Sequence, residues 1–224
     1  MGFQIAIDGP SGSGKSTVAR ELAAQLRFVY IDTGAMYRAV GLYCEENGID
    51  VYDENAVASA LSGVEIDVRH GKEGQRLILN GKDVTVELRT PRAGMAAAAV
   101  AAFMSVRERL VSLQRQLAEA ADVVMDGRDI CAYVLPKADL KIYLDASVEA
   151  RVSRRCGELE KNGVEFDSEE IRKQIIERDE KDKSREIAPL AVAEGAYVID
   201  ASELDINGVL NVILTLAKKC GIVV

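Results

Sequence analysis

The 224-residue chain predicts an α/β protein of three layers, with a parallel central sheet, a small antiparallel β insert and a short mobile hairpin. Three observations predict it. Short continuous apolar runs at 3–8, 28–32, 122–126, 140–145 and 197–200 alternate with helix-period segments, as βαβ units require. Gly9-Pro10-Ser11-Gly12-Ser13-Gly14-Lys15-Ser16-Thr17 follows the first run and opens a helical pattern. That is GxxxxGK[ST], a phosphate-binding loop in its required strand–loop–helix setting. Finally, the polar clusters Asp32-Thr33-Gly34 and Asp126-Gly127-Arg128-Asp129 fall at the carboxyl ends of the second and third runs, where open α/β sheets bind ligands.

The first strand and its loop carry the clearest chemistry. Glycines let backbone N–H groups turn toward phosphate oxygens. Lys15 supplies a point charge to the β- and γ-phosphates, Ser16 a hydroxyl ligand for Mg²⁺, and the following helix its positive N-terminus. After the second strand, Thr33, Tyr37 and Arg38 open a helix. Residues 64–88 then break the alternation: an apolar/polar run at 64–69, a turn at His70–Gly74, a second run at 75–80 and the hairpin signal Asn80-Gly81. They predict an antiparallel insert away from the parallel sheet. An Ala-rich helix over 95–120 carries Arg107. Residues 150–168 hold Arg151, Arg154 and Arg155 at helical spacing, and Asp167-Ser168-Glu169-Glu170 restarts a helix. This reads as an arginine-bearing hairpin over phosphates; the alternative is a solvated face with Arg154 paired to Glu158. Arg178, Asp182 and Arg185 share one helix face at i, i+4, i+7, as either an anion site or a salt-bridged stripe.

Composition excludes several classes. The net charge of −8 and pI of 4.9 argue against a nucleic-acid polymer as partner, so cations for phosphates must be placed individually. No apolar run approaches the roughly 18 residues of a membrane span, and no leader-like segment precedes the loop, which predicts a cytoplasmic protein. Cys44, Cys131, Cys156 and Cys220 have no metal or CxxC spacing and read as reduced thiols. The single His70 reads as an exposed turn residue, which leaves no histidine for triad-based hydrolysis.

Together the motifs GPSGSGKST (9–17), DTGAMYR (32–38), LNGKDVT (79–85), VRERL (106–110), DGRDI (126–130), VLPKADLKIYLDAS (134–147), RVSRR (151–155), RDEKDKSR (178–185) and IAPL (187–190) resemble the bacterial cytidylate kinases, nucleoside monophosphate kinases of the P-loop class. The resemblance covers essentially the whole chain. It implies a three-layer P-loop kinase fold in one domain, with a core of 1–32, 120–150 and 186–224, a monophosphate-binding lobe at about 33–119 and a lid at about 151–168. It implies ATP, Mg²⁺ and CMP or dCMP as ligands, and a monomer. Carried onto this chain, it puts residues 9–17 with Arg151, Arg154 and Arg155 at the ATP phosphates. Thr33, Tyr37, Arg38, Arg128 and Arg185 surround the acceptor phosphate, Arg107 and Asp129 the cytosine, and Arg178 and Asp182 the ribose. Lys15, Arg128, Arg154 and Arg185 are the catalytic cations, and Ser16 is the metal ligand. Asp8 and Asp126 are candidates for holding Mg²⁺ through water. Three positions depart from the family pattern: Cys131-Ala132 stand for its usual Gly-Thr, and Ala98 for a small hydroxyl residue. A sibling kinase acting on another small acceptor and a weakly active nucleotide-binding module remain the alternatives. A GTPase-type switch is rejected, because Asn80-Gly81-Lys82-Asp83 interrupts the guanine-reading motif.

Overall fold

The computed structural model describes residues 2–71 and 74–222. The strands and helices, in chain order, are β1 (Gln4–Asp8), α1 (Lys15–Leu26), β2 (Val29–Asp32), α2 (Thr33–Glu46), α3 (Glu54–Ala60), β3 (Ile66–Gly71), β4 (Gly74–Leu79), β5 (Lys82–Asp83), α4 (Pro91–Val100), α5 (Met104–Ala120), β6 (Val123–Gly127), β7 (Leu140–Asp145), α6 (Val148–Lys161), α7 (Ser168–Lys183), β8 (Tyr197–Asp200) and α8 (Ile206–Lys219). A π-helical turn, Ile130–Val134, follows β6.

The five apolar runs form one sheet in the order β2-β6-β1-β7-β8, every pair parallel. The order changes direction at β1, so the loops after β1 and β6 open a crevice at the carboxyl edge. Side chains alternate across it. Ile5 and Ile7 join Ile142, Leu144 and the apolar faces of α1 and α8, while Ala6 and Met125 join Val111 and Ala118 of α5 and the π-helical turn. Both faces are therefore covered, which is why these strands read as continuous apolar runs rather than alternating ones.

The insert forms a separate sheet, β3-β4-β5, with Asn80 (φ 48°) and Gly81 (φ 83°) making its second hairpin turn. The turn expected at His70–Gly74 includes Lys72 and Glu73, which lie outside the described residues. The sheet packs with α2, α3, α4 and α5 around a second core of Met36, Val40, Leu77, Val100 and Leu110. Three expectations need correcting. The insert is not remote from the parallel sheet: Gln75 Oε1 accepts from the Asp32 amide at 2.7 Å, and His70 Nε2 lies 2.8 Å from the Tyr30 carbonyl oxygen. His70 is thus a β3 residue rather than a turn residue. The Ala-rich segment is two helices, broken at 101–103. The close approach of Gly41 on α2 to Ala96 seats α4 on α2, and α5 then turns to cover β6. A Cβ on Gly41 would lie 2.7 Å from that of Ala96.

Residues 148–183 form two helices joined by a short turn, tied by Val152, Ile171 and Ile175. Arg185 lies beyond the end of α7, so it does not share a continuous helix face with Arg178 and Asp182.

Candidate active site

The loop between β1 and α1 is shaped by close packing. A Cβ on Gly9 would stand 2.1 Å from the Leu144 carbonyl oxygen, and Gly14 caps α1 at a left-handed φ of 91°. Lys15 is the first residue of α1; its Nζ donates to the Pro10 carbonyl at 3.1 Å. Burial, followed by repulsion from Arg128 and Arg178, pulls the ammonium down to about 7, against the attraction of Asp126 and Asp182. A buried cation opposed by other cations is a site waiting for an anion.

Behind the loop, Ser16 Oγ donates to Asp126 Oδ2 at 2.7 Å and the Tyr30 hydroxyl to Asp126 Oδ1 at 2.8 Å. Burial and the neighbouring Asp32 carboxylate raise the Asp126 carboxyl, which Lys15 partly offsets. Asp8 is differently placed. Its two oxygens accept the amides of Ile130 and Cys131, each at 2.8 Å, so it anchors the loop after β6. Burial pushes its carboxyl up to about 6 despite those bonds. Of the two candidates for a metal-bound water, only Asp126 touches a loop hydroxyl.

The arginines come together around one carboxylate. Asp182 is 3 % exposed and accepts Arg128 Nε at 2.9 Å and Arg185 Nη2 at 2.5 Å. Burial opposes its ionisation, but Arg128 and Arg185 hold it below the usual carboxylate range. Arg178 is held below the usual arginine range by desolvation and by the like charges of Arg128, Arg185 and Arg38. The pairing is not confined to one helix face, because Arg128 reaches Asp182 across 54 residues of sequence. Arg38 is bonded to Asp32 at 2.7 Å, with its Nε buried and unpartnered. Thr33 lies beside them, its hydroxyl donating to the Asp126 carbonyl at 2.8 Å.

Alongside sits a buried pair, Arg107 Nη2 on Asp129 Oδ2, with Arg107 1 % exposed and its Nε unpartnered. Tyr37 is close enough to feel both, and burial pushes its hydroxyl up to about 12.

The hairpin arginines are placed unequally. Arg151 is buried, clamps Asp179 through bonds of 2.9 and 2.5 Å, and donates to the Ser11 carbonyl at 3.2 Å. Arg154 donates to Ser13 at 3.1 Å and to the Ala201 carbonyl. Arg155 instead lies out on the surface with Glu158 at 3.0 Å, so the surface pair expected at Arg154 forms one residue later. Sequence reasoning did not single out Tyr30, Asp179 or Tyr133. Tyr30 lies two residues before Asp32 on β2, on the same face of the strand, and so shares part of the signal that marked Asp32; Asp179 is one carboxylate in a charged helix and carries none.

Cys131 is a core residue, its Sγ 3.4 Å from the Ala6 carbonyl oxygen and its thiol pushed up by burial and Asp8. All four cysteines are free. Among the described residues no helix is long and apolar enough to cross a membrane.

The family model of cytidylate kinase matches residues 5–219. A cytidylate kinase of Thermotoga neapolitana is 46% identical over 220 residues, 98% of each chain. One from Caldicellulosiruptor bescii is 46% identical over 217 residues, 97% of this chain and 96% of that one. Among solved structures, an uncharacterized protein from Eubacterium ventriosum has the same fold, with a TM-score of 0.54 at 13% identity over 96% of this chain and 98% of that one. The match over nearly the full length, at this identity, shows that the chain belongs to the cytidylate kinase family.

Proposed function

We propose that this protein transfers the γ-phosphoryl group of ATP to CMP or dCMP, releasing ADP and CDP or dCDP. One observation carries the assignment of roles: Lys15 of the loop feels the like charges of Arg128 and Arg178, and Arg128 and Arg185 converge on Asp182, so cations from the loop, β6 and α7 gather near the sheet's carboxyl edge. Two anionic ligands brought end to end would neutralise these cations.

The loop, residues 9–17, cradles the β- and γ-phosphates through backbone N–H groups. Lys15 exchanges its bond to Pro10 for a phosphate oxygen. Ser16 and Asp126 fit a Mg²⁺ site, because that ion is usually bound by one or two protein groups together with waters and phosphates. No cluster of three or more ligating side chains is found among the described residues, and none is needed for that mode of binding. Bound there, Mg²⁺ would neutralise charge on the β- and γ-oxygens.

Arg38, Arg128 and Arg185, with Thr33 and Tyr37, hold the acceptor 5′-phosphate. Asp182 aligns two of these arginines and, with Arg178, meets the ribose. No general base is required, since a phosphate monoester is already anionic near neutral pH. Its oxygen attacks the γ-phosphorus in line as the bond to the bridging oxygen breaks, and ADP leaves. The arginines and Lys15 take up the charge on the transferred group. Arg151 and Arg154, which donate to the Ser11 and Ser13 carbonyls of the loop, approach the ATP phosphates as segment 151–168 closes as the lid and excludes water. Asp129 accepts from the exocyclic amine of cytosine; uracil presents an acceptor there instead.

A coupled ADP-release assay with CMP, dCMP, UMP, AMP and GMP tests the reading. CMP and dCMP should exceed UMP at least tenfold in kcat/KM. No ADP release with CMP would end it, and a better acceptor elsewhere in the panel would favour a sibling kinase.

A further inference from the structure

The Arg107–Asp129 pair is incompletely explained by its own contact. A guanidinium that is 1 % exposed, with Nε unpartnered, meets its carboxylate through Nη2 alone, yet Asp129 beside it holds it in the charged form against its burial. Its flat face is covered: the Tyr133 ring lies 5.4 Å from its central carbon. That distance falls within the reach of a cation–π contact, which strengthens as the cation is desolvated.

The ring does not sit there by chance. Tyr133 belongs to the π-helical turn that follows Asp129. Arg115, two turns beyond Arg107 on the same α5, donates to the Tyr133 carbonyl at 2.7 Å and to the Val134 carbonyl at 3.0 Å. Helix α5 therefore holds both the cation and the backbone that places the ring. Tyr133 also borders a surface hollow of about 370 Å³ lined by Glu108, Ser112 and Arg115. Tyr133 is 38 % exposed, so one residue both lines this hollow and contacts the buried Arg107.

We propose that Tyr133, pinned by Arg115, is a specificity-determining positioning residue: its ring excludes water from Arg107 and holds the Arg107–Asp129 pair where it reads the base. This rests on the base role given to that pair above. Without the ring, water and salt from the hollow reach the guanidinium, Arg107 gains rotamer freedom, and Asp129 no longer presents one fixed acceptor. The effect is on acceptor binding and base choice rather than on phosphoryl transfer.

The test compares wild type, Tyr133→Val and Tyr133→Phe, with kcat and KM for CMP and UMP at low and high NaCl and the melting temperature of each. Tyr133→Val should raise KM for CMP about five- to twentyfold with kcat within twofold. It should shrink the CMP-over-UMP preference by a similar factor and make KM for CMP rise with salt. Tyr133→Phe keeps the ring and should stay within twofold of wild type in all three. A valine variant with wild-type KM and preference overturns the proposal, as does a phenylalanine variant that fails like valine. If the valine variant melts early, the phenylalanine comparison decides. Wild-type protein that does not prefer CMP refutes the base reading itself, a result separable from either variant's.

Discussion

Removing the carboxylate of Asp182 probes the arginine cluster most directly. Asp182 is 3 % exposed, and the side chains of its partners Arg128 and Arg185 are 17% exposed. Asp182→Ala leaves two guanidiniums facing each other, with Arg178 and Arg38 adding to the repulsion. Removing one partner of a buried ion pair costs about 3–5 kcal/mol, and the slight exposure of the arginines places this case near 3 kcal/mol. For a chain of this length that is a fall of about 6–12 °C in Tm. The sign with pH follows from the depressed carboxyl: stability from Asp182 is full above its unfolded pKa near 4 and is lost as pH falls through the lower folded value. Wild type and variant should therefore converge in acid. Sulfate, a dianion that can sit between the arginines, should recover part of the loss in the variant and do little for wild type. In turnover, CMP should lose about ten- to a hundredfold in kcat/KM, because a hydrogen bond to a charged group is worth about 1.5–3 kcal/mol. The acceptor dCMP should lose less, since it lacks the 2′-hydroxyl. Differential scanning fluorimetry and a coupled assay measure both. A variant melting within 2 °C of wild type at neutral pH, with CMP turnover within about threefold, would refute an organising role for Asp182. Equal losses for CMP and dCMP would leave the arginine alignment and remove the ribose contact.

Replacing Lys15 by Ala should cost roughly 10³-fold or more in turnover, about 4 kcal/mol of transition-state stabilisation. The fold should survive, as judged by Tm, because among the described residues the side chain bonds only the Pro10 carbonyl; retention of a tenth of wild-type turnover would contradict the loop's role. The lowered Lys15 value near 7 carries a second expectation. Bound phosphates favour the charged ammonium, so ATP binding takes up a proton and weakens as pH rises above 7, approaching about tenfold per unit. Calorimetry between pH 7.5 and 9, in buffers of different ionisation heat, should show this uptake; flat affinity would mean that Lys15 is already fully charged in the free protein. Asp129→Asn should narrow the CMP-to-UMP gap, since an amide can donate to O4 of uracil. It should also lower Tm, because it removes the charge partner of buried Arg107; an unchanged kcat/KM ratio would take the base contact away from Asp129.

The chain determines much of this protein through local rules. The sheet strands and the phosphate-binding loop were legible because burial on both faces demands continuous apolar runs and because GxxxxGK[ST] encodes a backbone shape. The Asn80-Gly81 hairpin was legible for a similar reason: its turn needs two positive φ angles in succession. Residues close in sequence share their environment, so such patterns survive without tertiary information. Charged residues obey no such rule. Nothing in the spacing of Arg128 and Asp182 says that they meet across 54 residues, or that Arg185 bonds Asp182 from beyond the helix end. The three hairpin arginines look alike in sequence, yet Arg151 is buried on Asp179, Arg154 braces the loop and Arg155 faces solvent with Glu158. The break in the Ala-rich segment has no glycine or proline to announce it. It arises where α4 must lie on α2 while α5 covers β6. Tyr133 stands over Arg107 only because a π-helical turn and Arg115 put it there. Partner choice among long side chains is settled by which elements the sheet order brings to one edge, and that order is a property of the whole chain.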